Sequence, residues 1–495
     1  MLNDMTDIPV REVGNPLLRR RRGSSGLLLV AADSFSARRI MISLFVVLVM
    51  LGIVAGCAAP AAPAPVAGPL AGDWHGSIEV PDQPLDIGVH LTGEESLAGT
   101  IDVPAMGVIA APLAEVQRDG DRVGFTIPDV PGAPAFSGTL RIDALVGDFT
   151  QAGQSFPVTL TRGALAGAAR PQEPHPPFPY RTEDVTYHDG EVQLAGTLTL
   201  PAGPGPFTAV LLVSGSGPQD RDEALLGHKP FLVLSDTLTQ AGYAVLRVDD
   251  RGVGGSTGDL NGSDYEDLTG DITAGVDFLR ARPDITRVGL LGHSEGGYLA
   301  PLAAQRDGDV AFVVLMAGPA VPGDQVLEAQ NRLMLAAAGQ TPAQIEARIA
   351  TIREGVGLLR AEDYAGAATL VRTALTSQGV PADQVDGQVT ELTSRYFRSF
   401  AVYDPAAALA ALTVPVLAVY GGRDVQVPAE QSVPAMQALL GRNPDVTVRT
   451  FPDLNHLMQP AATGQLAEYA TIATTLAPEF LDLVTGWLHE RFPAT

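Results

Sequence analysis

A serine set among glycines is the residue of this chain with the clearest chemical meaning. The run Gly289–Gly297 contains the pattern G-x-S-x-G around Ser294, with apolar Val288–Leu291 before it and a helical pattern over Tyr298–Ala304 after it. Glycines on both sides remove Cβ atoms where the backbone crowds in a sharp strand-to-helix turn, so Ser294 can point its Oγ outward. The amides at the start of the following helix favour negative charge at the same point. The pattern predicts a nucleophile, and the alternative is a glycine-rich turn that ends a buried strand.

An aspartate and a histidine much later in the chain could activate that hydroxyl. Asp424 follows the apolar run Val414–Tyr420, and His456 follows the run Val446–Phe451. Side chains just beyond the carboxyl ends of parallel strands lie at one edge of the sheet. There His456 can take the proton of Ser294, while Asp424 fixes the tautomer of the ring and stabilises the imidazolium. We therefore predict that Ser294, His456 and Asp424 form a catalytic triad.

Two other polar residues compete for the same roles. His489 is an alternative base, but the pattern around it is that of a terminal helix. Asp249 follows the strand pattern Ala244–Val248 and is an alternative acid; we interpret Asp249 and Arg251 instead as braces of their loop through charge-assisted hydrogen bonds. The glycines after Arg251 do not predict a nucleotide site, because no helix pattern starts on them and no lysine follows.

A loop rich in glycine and serine is predicted to complete the site. Ser214–Asp222 follows the apolar run Thr208–Val213. Acyl transfer places negative charge on the carbonyl oxygen, and two fixed N–H groups about 3 Å from that oxygen stabilise the charge by several kcal/mol. We predict an oxyanion hole made by the amides of Glu295 and Ser216, with Gly215 as the reserve for Ser216. The alternative is a flexible surface loop.

The order of the apolar runs predicts the fold around these residues. Strand and helix patterns alternate through residues 181–495, at 208–213, 231–241, 244–248, 267–280 and 288–291 among others. Such alternation is typical of βαβ units on a mostly parallel, doubly wound sheet, which is an α/β fold. Between about 318 and 412 the strand pattern disappears, and amphipathic helices are predicted instead, one of them over Ala382–Ser399. A helical insertion at this point would cover the active edge of the sheet as a cap that excludes water.

Residues 72–162 have a different pattern, in which apolar and polar residues alternate in short runs. Eight runs are separated by turn residues: 74–80, 85–91, 97–103, 112–117, 123–127, 136–142, 145–150 and 156–161. This pattern predicts a small antiparallel, barrel-like β domain, and glycines at matching points of the runs indicate close backbone approach. His75 and His90 stand alone in this stretch, and no catalytic group is predicted here. The Ala/Gly- and Pro-rich residues 163–180 predict a linker.

The first 57 residues differ from the rest in charge and composition. Four arginines at 19–22 precede sixteen uncharged residues from Ile40 to Ala55, and Cys57 follows after Gly56. A basic region, an apolar region and small residues are typical of a secretion signal. The ending resembles a bacterial lipobox, which implies a lipid on Cys57; a plain transmembrane anchor is the alternative. We expect an exported cell-envelope lipoprotein that faces outward from the cytoplasmic membrane, with 58–71 as an Ala/Pro-rich tether.

Composition excludes several classes of protein. A chain of 495 residues is expected to form two or three domains, and its 46% of hydrophobic residues can fill their cores. The net charge of −24 argues against nucleic acid as a partner, because no basic surface is available to displace counterions. The single cysteine excludes an internal disulfide and a cysteine-based metal cluster. No metal or cofactor is predicted.

The motifs together resemble the α/β-hydrolase superfamily. They are Ser-Gly-Ser-Gly-Pro at 214–218, Asp-x-Arg-Gly-x-Gly-x-Ser at 249–256, Gly-His-Ser-x-Gly-Gly at 292–297, Gly-Gly-Arg-Asp at 421–424 and Asn-His at 455–456. In particular they are similar to bacterial secreted esterases and to the serine aminopeptidase-like branch. The resemblance covers about residues 180–495 and implies a triad of Ser294, Asp424 and His456 that needs no cofactor. The loop at 214–218 departs from many relatives, which have His-Gly where this chain has Ser-Gly.

These observations lead to one preferred function and two alternatives. The preferred function is a serine hydrolase that cleaves a small carboxylic ester through an acyl-enzyme. The first alternative is a serine peptidase or aminopeptidase that uses the same triad. The second is a surface binding lipoprotein that acts through its β domain and has no catalysis.

Overall fold

The structure is a computed structural model, and it describes residues 70–494 except 81–84, 94–96, 104–107, 129, 131–133, 152, 164, 166–169 and 381. The predicted signal peptide, its Cys57 and residues 58–69 of the predicted tether lie outside the described residues. Within the described residues, no helix combines the length and the apolar character needed to cross a membrane.

The first sheet is antiparallel and has nine strands in the described part of the chain, in the order β4-β3-β2-β1-β9-β8-β7-β6-β5. The strands are β1 Gly72–Ile78, β2 Leu85–Thr92, β3 Ala98–Val103, β4 Val108–Pro112, β5 Ala114–Asp119, β6 Arg122–Thr126, β7 Ala135–Arg141, β8 Ala144–Gln151 and β9 Gln154–Arg162. β4 and β5 are the two edge strands of this sheet, yet only Leu113 separates them in the chain. The sheet must therefore curve until its two edges meet, as in a barrel. The predicted barrel-like β region is therefore confirmed. It has nine strands in the described residues and not the eight predicted, because the prediction missed β4.

Alternate side chains of these strands fill one core. Trp74, Val89, Ile101 and Leu160 are buried together inside the sheet. The predicted close backbone approach is clearest at Gly138 and Gly147, which face each other across β7 and β8. A Cβ on Gly147 would collide with the backbone of β7, so two larger residues could not pair at this point.

In the part of the chain that the structure describes, the second sheet has eight strands, in the order β10-β11-β13-β12-β14-β15-β16-β17. Their bounds are β10 Arg181–Asp189, β11 Val192–Leu200, β12 Phe207–Val213, β13 Ala244–Val248, β14 Ile285–His293, β15 Val313–Met316, β16 Val416–Gly421 and β17 Val446–Phe451. β10 and β11 form an antiparallel hairpin, and β12 to β17 run parallel. Their carboxyl ends consequently lie at one edge of the sheet.

Helices cover both faces of this sheet, which explains its continuous apolar strands. The helices are α1 Pro230–Gln240, α2 Tyr265–Arg280, α3 Gly296–Arg306, α4 Gly323–Ala337, α5 Pro342–Arg360, α6 Tyr364–Ser377, α7 Ala382–Leu392, α8 Arg395–Val402, α9 Ala406–Ala411, α10 Ala429–Leu439, α11 Leu466–Tyr469 and α12 Pro478–Arg491. All seven residues of β12 are buried. Leu211 faces the core formed with α2 and α3, while Val210 and Leu212 face the core formed with α1 and α12.

The chain between β15 and β16 is helical, from α4 to α9, in the part that the structure describes. One prediction within it was wrong: the helix expected over Ala382–Ser399 is two helices, α7 and α8. Ser394 causes the break, because its side chain accepts a hydrogen bond from Phe397 N at 3.0 Å and caps the start of α8.

Candidate active site

Ser294 occupies the turn between β14 and α3 with a left-handed backbone, at φ +52°. Its amide donates to Met316 O at 2.9 Å at the end of the neighbouring strand β15. Gly292 and Gly296 make the turn possible, because a Cβ on Gly292 would collide with the Gly296 carbonyl and a Cβ on Gly296 with the Val213 carbonyl. A non-glycine residue in this conformation costs about 1–3 kcal/mol and is concentrated at functional sites. The predicted strained turn at Ser294 is thus present.

His456 and Asp424 meet beyond the ends of β17 and β16. His456 Nδ1 donates to Asp424 Oδ2 at 2.8 Å, and both side chains are buried. The second carboxylate oxygen of Asp424 accepts from the amides of Gln426 and Val427, each at 2.8 Å. Because the proton of the neutral ring lies on Nδ1, the Nε2 atom of His456 is free to accept a proton.

The structure also brings His456 next to the serine turn. The His456 ring lies 4.8 Å from the ring of His293, the residue before Ser294. Among the described residues no hydrogen bond of 3.5 Å or less joins Ser294 Oγ to His456, as is common before substrate binds. His489, the alternative base, is exposed in the last turn of α12, and in the described part of the chain no hydrogen bond joins it to Ser294 or Asp424.

Among the described residues, the backbone amides of Ser216 and Glu295 near Ser294 have no hydrogen-bond acceptor, and neither has that of Gly296. The amides on either side of Ser216 are both used: Gly215 N donates to Glu223 Oε1 and Gly217 N donates to Tyr396 Oη, each at 2.7 Å. This arrangement favours Ser216 over Gly215 as the donor from the loop. The Glu295 amide lies directly before α3, where the helix dipole also favours an anion.

The alternative acid, Asp249, has a different set of partners. Its carboxylate accepts from the Arg221 guanidinium at 2.7 and 3.1 Å and from the Gly255 amide at 2.9 Å. Burial alone would raise the pKa of Asp249, but these donors hold it below its usual value. Arg251 in turn binds Asp271 and Asp189. Both residues therefore brace their loops, as the sequence predicted, and Asp249 makes no bond to either histidine of the site.

The side chain of Glu295 belongs to a buried cluster that sequence reasoning missed. Its carboxyl group accepts from Tyr265 Oη at 2.6 Å and also from Tyr396 Oη. Burial raises the pKa of this carboxyl group to about 7. Because Tyr396 lies on α8 and also accepts from Gly217 N, one hydroxyl of the helical segment contacts both loops that supply the free amides.

A small cavity of about 70 Å³, partly open to solvent, lies next to this cluster. Asp250, Asp271, Glu295 and Tyr396 are among its lining residues, whereas Ser294 is not. Burial raises the pKa of Asp250 to about 8 and that of Asp271 to about 6. The cavity is thus lined by neighbours of Ser216 and not by Ser294.

The second missed group is a buried pair of Glu223 and His293. Glu223 Oε1 lies 2.8 Å from His293 Nδ1, and His293 Nε2 lies 3.2 Å from the backbone oxygen of His456. The motif around Ser294 already contains His293, but nothing in its spacing points to Glu223.

Comparisons with known proteins find similar sequences and structures. Residues 230–459 match the family described as serine aminopeptidase, S33. The chain is 32% identical over 282 residues to Esterase EstD of Thermotoga maritima, an alignment that covers 57% of this chain and 61% of that protein. The chain thus spans about three fifths of the length of this relative. The mostly parallel sheet with helices on both faces is the α/β fold that the sequence predicted.

Solved structures with similar folds include an esterase of Pyrococcus furiosus, at 16% identity and a TM-score of 0.41, covering 63% of this chain and 91% of that one. Another is a proline iminopeptidase of Mycobacterium smegmatis, at 19% identity and a TM-score of 0.39, covering 62% of this chain and 98% of that one.

Proposed function

We propose that this protein is a serine hydrolase that cleaves carboxylic esters through an acyl-enzyme on Ser294. The observation that carries the proposal is His456, whose Nδ1 is bound to buried Asp424 and whose Nε2 is free beside the strained serine turn. The relative in Thermotoga maritima is named an esterase, which supports an ester as substrate. No step of the proposed reaction uses a metal or cofactor.

The reaction follows from the donors and acceptors of the site. Nε2 of His456 accepts the proton of Ser294 while Oγ attacks the ester carbonyl carbon, and Asp424 stabilises the imidazolium. The amides of Ser216 and Glu295 donate to the oxyanion that forms. When the intermediate collapses, the C–O bond to the alcohol breaks and His456 returns its proton to the leaving oxygen. Water activated by the same histidine then releases the acid and restores Ser294.

The helical segment between β15 and β16 is proposed to act as a cap over this site. Its α8 contributes the Tyr396 hydroxyl to the two loops that hold the free amides. A cap in contact with these loops would exclude water during the attack and restrict the size of the acyl group.

The match to a serine aminopeptidase family keeps a peptidase as the second candidate. The test is to assay p-nitrophenyl acyl esters of several chain lengths beside aminoacyl-anilides, and to label the protein with a fluorophosphonate probe. We expect ester hydrolysis and labelling of Ser294. Hydrolysis of anilides alone would replace the esterase by the peptidase, while no hydrolysis and no labelling would favour a binding protein that acts through its β domain.

We also propose that the chain is exported and held at the membrane by a lipid on Cys57, on the strength of the sequence pattern before that residue. Mass analysis of the N-terminus of the protein exported by a bacterial host tests this. The expected result is a chain that begins at an acylated Cys57, and an unmodified thiol at that position would contradict it.

A further inference from the structure

Glu223 and His293 form a buried polar pair that the proposed reaction does not use. They are only 2% and 3% exposed. Glu223 has a left-handed backbone, at φ +52°, although it is not glycine, so the chain holds this carboxylate in place at a cost of about 1–3 kcal/mol. A strained and buried carboxylate beside the proposed nucleophile indicates that Glu223 has a specific role.

The carboxylate contacts two of the three segments that build the site. Glu223 Oε1 accepts from the Gly215 amide at 2.7 Å and lies 2.8 Å from His293 Nδ1. Gly215 precedes Ser216, whose amide is the proposed oxyanion donor. His293 precedes Ser294, so a single oxygen atom links the loop of one group with the turn of the other.

The imidazole reaches the third segment. His293 Nε2 lies 3.2 Å from the backbone oxygen of His456. A carbonyl oxygen only accepts, so Nε2 carries a hydrogen. At Nδ1 the partner is a carboxylate oxygen of Glu223, which also only accepts, so this nitrogen carries a hydrogen as well. The ring is then an imidazolium, which donates on both sides.

The charge balance of the pair agrees with this protonation. The other oxygen of Glu223, Oε2, is buried and has no hydrogen-bond partner among the described residues, so His293 is the group in contact that can neutralise the carboxylate. Burial alone would lower the pKa of His293, but Glu223 raises it above the usual value, with a further contribution from Asp424. Together with burial, the charge of Glu223 raises the pKa of the nearby carboxyl group of Asp250.

We infer that Glu223 and His293 are positioning residues of the hydrolase, an ion pair that holds the loop of Ser216, the turn of Ser294 and the loop of His456 in register. The inference rests on the proposed function. Neither residue contacts the substrate; the pair acts by keeping the amide donor, the hydroxyl and the base at their working distances, where a displacement of about 1 Å can cost about 100-fold in rate.

The test compares Glu223→Gln, His293→Gln and the double variant with the wild-type protein in ester hydrolysis. Each single variant is expected to lose about 10- to 100-fold in kcat with KM changed less than about 3-fold, because the bound substrate still fits but the reacting groups are displaced. The double variant should lose no more than the worse single variant, since the two residues act as one unit. The matched control is His90→Gln on the first sheet, a histidine that also lies between carboxylates and should leave kcat unchanged.

Two further measurements separate the possible failures. Fluorophosphonate labelling of the wild-type Ser294 tests the proposed function itself; if labelling occurs but both single variants label at the wild-type rate, the inference alone is overturned. Losses in kcat that simply add in the double variant and follow the loss of thermal stability would also overturn it, because they indicate packing only.

If a variant does not fold, ¹⁵N NMR of histidine in the wild-type protein decides. Both nitrogens of His293 should be protonated at neutral pH, and an unprotonated nitrogen would refute the ion pair.

Discussion

Each of the two sheets has a histidine bound to carboxylate on it or beside it, but of these two only His456 keeps a ring nitrogen without a hydrogen-bond partner among the described residues. On the first sheet, His90 Nδ1 bonds to Asp73 at 2.8 Å and Nε2 to Asp102 at 2.9 Å, so both nitrogens are used. On the second, Asp424 binds one nitrogen of His456 and the other remains free. The isolated His90 expected from the sequence is therefore not isolated, since β1 and β3 supply its partners on either side.

Strand direction explains the difference. In the antiparallel sheet, neighbouring strands end at opposite edges, and His90 lies in the middle of β2 on a sheet face. In the parallel part of the second sheet, β12 to β17 end at the same edge, and the loops that follow carry Ser294, Asp424 and His456. Residue types alone do not make a site; they must follow strands that end together, where loops can turn toward one point.

The largest expected effect is on the serine of the parallel sheet. Ser294→Ala should lower kcat for ester hydrolysis by about 10⁶-fold, because no other hydroxyl can form the acyl-enzyme. Its unfolding by urea should be close to that of the wild-type protein. Ser137→Ala, an exposed serine of β7 in the other sheet, is the matched control and should keep full activity. Residual turnover of Ser294→Ala within about 100-fold of wild type would mean that the chemistry lies elsewhere.

The next effect distinguishes the two aspartates that follow strands of the second sheet. Asp424→Asn should lower kcat by about 10⁴-fold, because the amide favours the wrong tautomer of His456. Asp249→Asn should mainly lower the free energy of unfolding, by about 3–5 kcal/mol, since Arg221 would lose its buried partner. Kinetics and urea titration of both variants check this. If Asp249→Asn lowered kcat and Asp424→Asn lowered only the free energy of unfolding, Asp249 would be the acid of the triad.

A core substitution in the first sheet should have the opposite signature. Trp74 is fully buried, its Nε1 donates to Leu70 O at 3.0 Å, and the Arg162 guanidinium lies 4.2 Å from its ring. Trp74→Ala should lower the free energy of unfolding by about 3–5 kcal/mol, while kcat of the remaining folded protein is unchanged. Val146→Ala, at a largely exposed position of β8, is the control. A parallel loss of kcat in Trp74→Ala would show that the first sheet contributes to catalysis.

The smallest effect concerns His90 and pH. Hydrogen bonds to Asp73 and Asp102 raise the pKa of His90, so its contribution to stability is present below the unfolded-state pKa and is lost as pH rises through the folded-state pKa. The side chain is partly exposed, and solvent screening keeps the contribution below about 1 kcal/mol. The difference in unfolding free energy between wild type and His90→Gln should therefore be larger at low pH than at alkaline pH. A difference that grows with pH would contradict this sign.

The features that could be predicted from the sequence are those determined by contacts between residues close together in the chain. The turn at Ser294 depends on glycines two residues away, and each strand of the second sheet carries its own apolar run, so these features were visible. The short β4, which ends in Pro112, is too weakly patterned to separate from its neighbours. The Ser394 cap is local, yet the amphipathic pattern runs through it and masked the break.

The contacts that organise the site are long-range, and this is why they were missed. Glu223 and His293 are 70 residues apart in the chain, and Tyr396 and Glu295 are 101 residues apart. Within its own segment none of these residues indicates its partner: Glu223 is a glutamate in a polar loop, and Tyr396 is a tyrosine in an amphipathic helix. Only the folded sheet brings such pairs within hydrogen-bonding distance.

The hydroxyl of Tyr396 couples helix α8 to both segments that carry the proposed oxyanion donors. It touches the loop at Gly217 and the carboxyl group of Glu295 at the same time, so any outward swing of α8 breaks both contacts together. Any movement of α8 therefore alters the support of the Gly217 loop and of the Glu295 turn together, so these two parts of the proposed oxyanion hole respond to α8 as one unit.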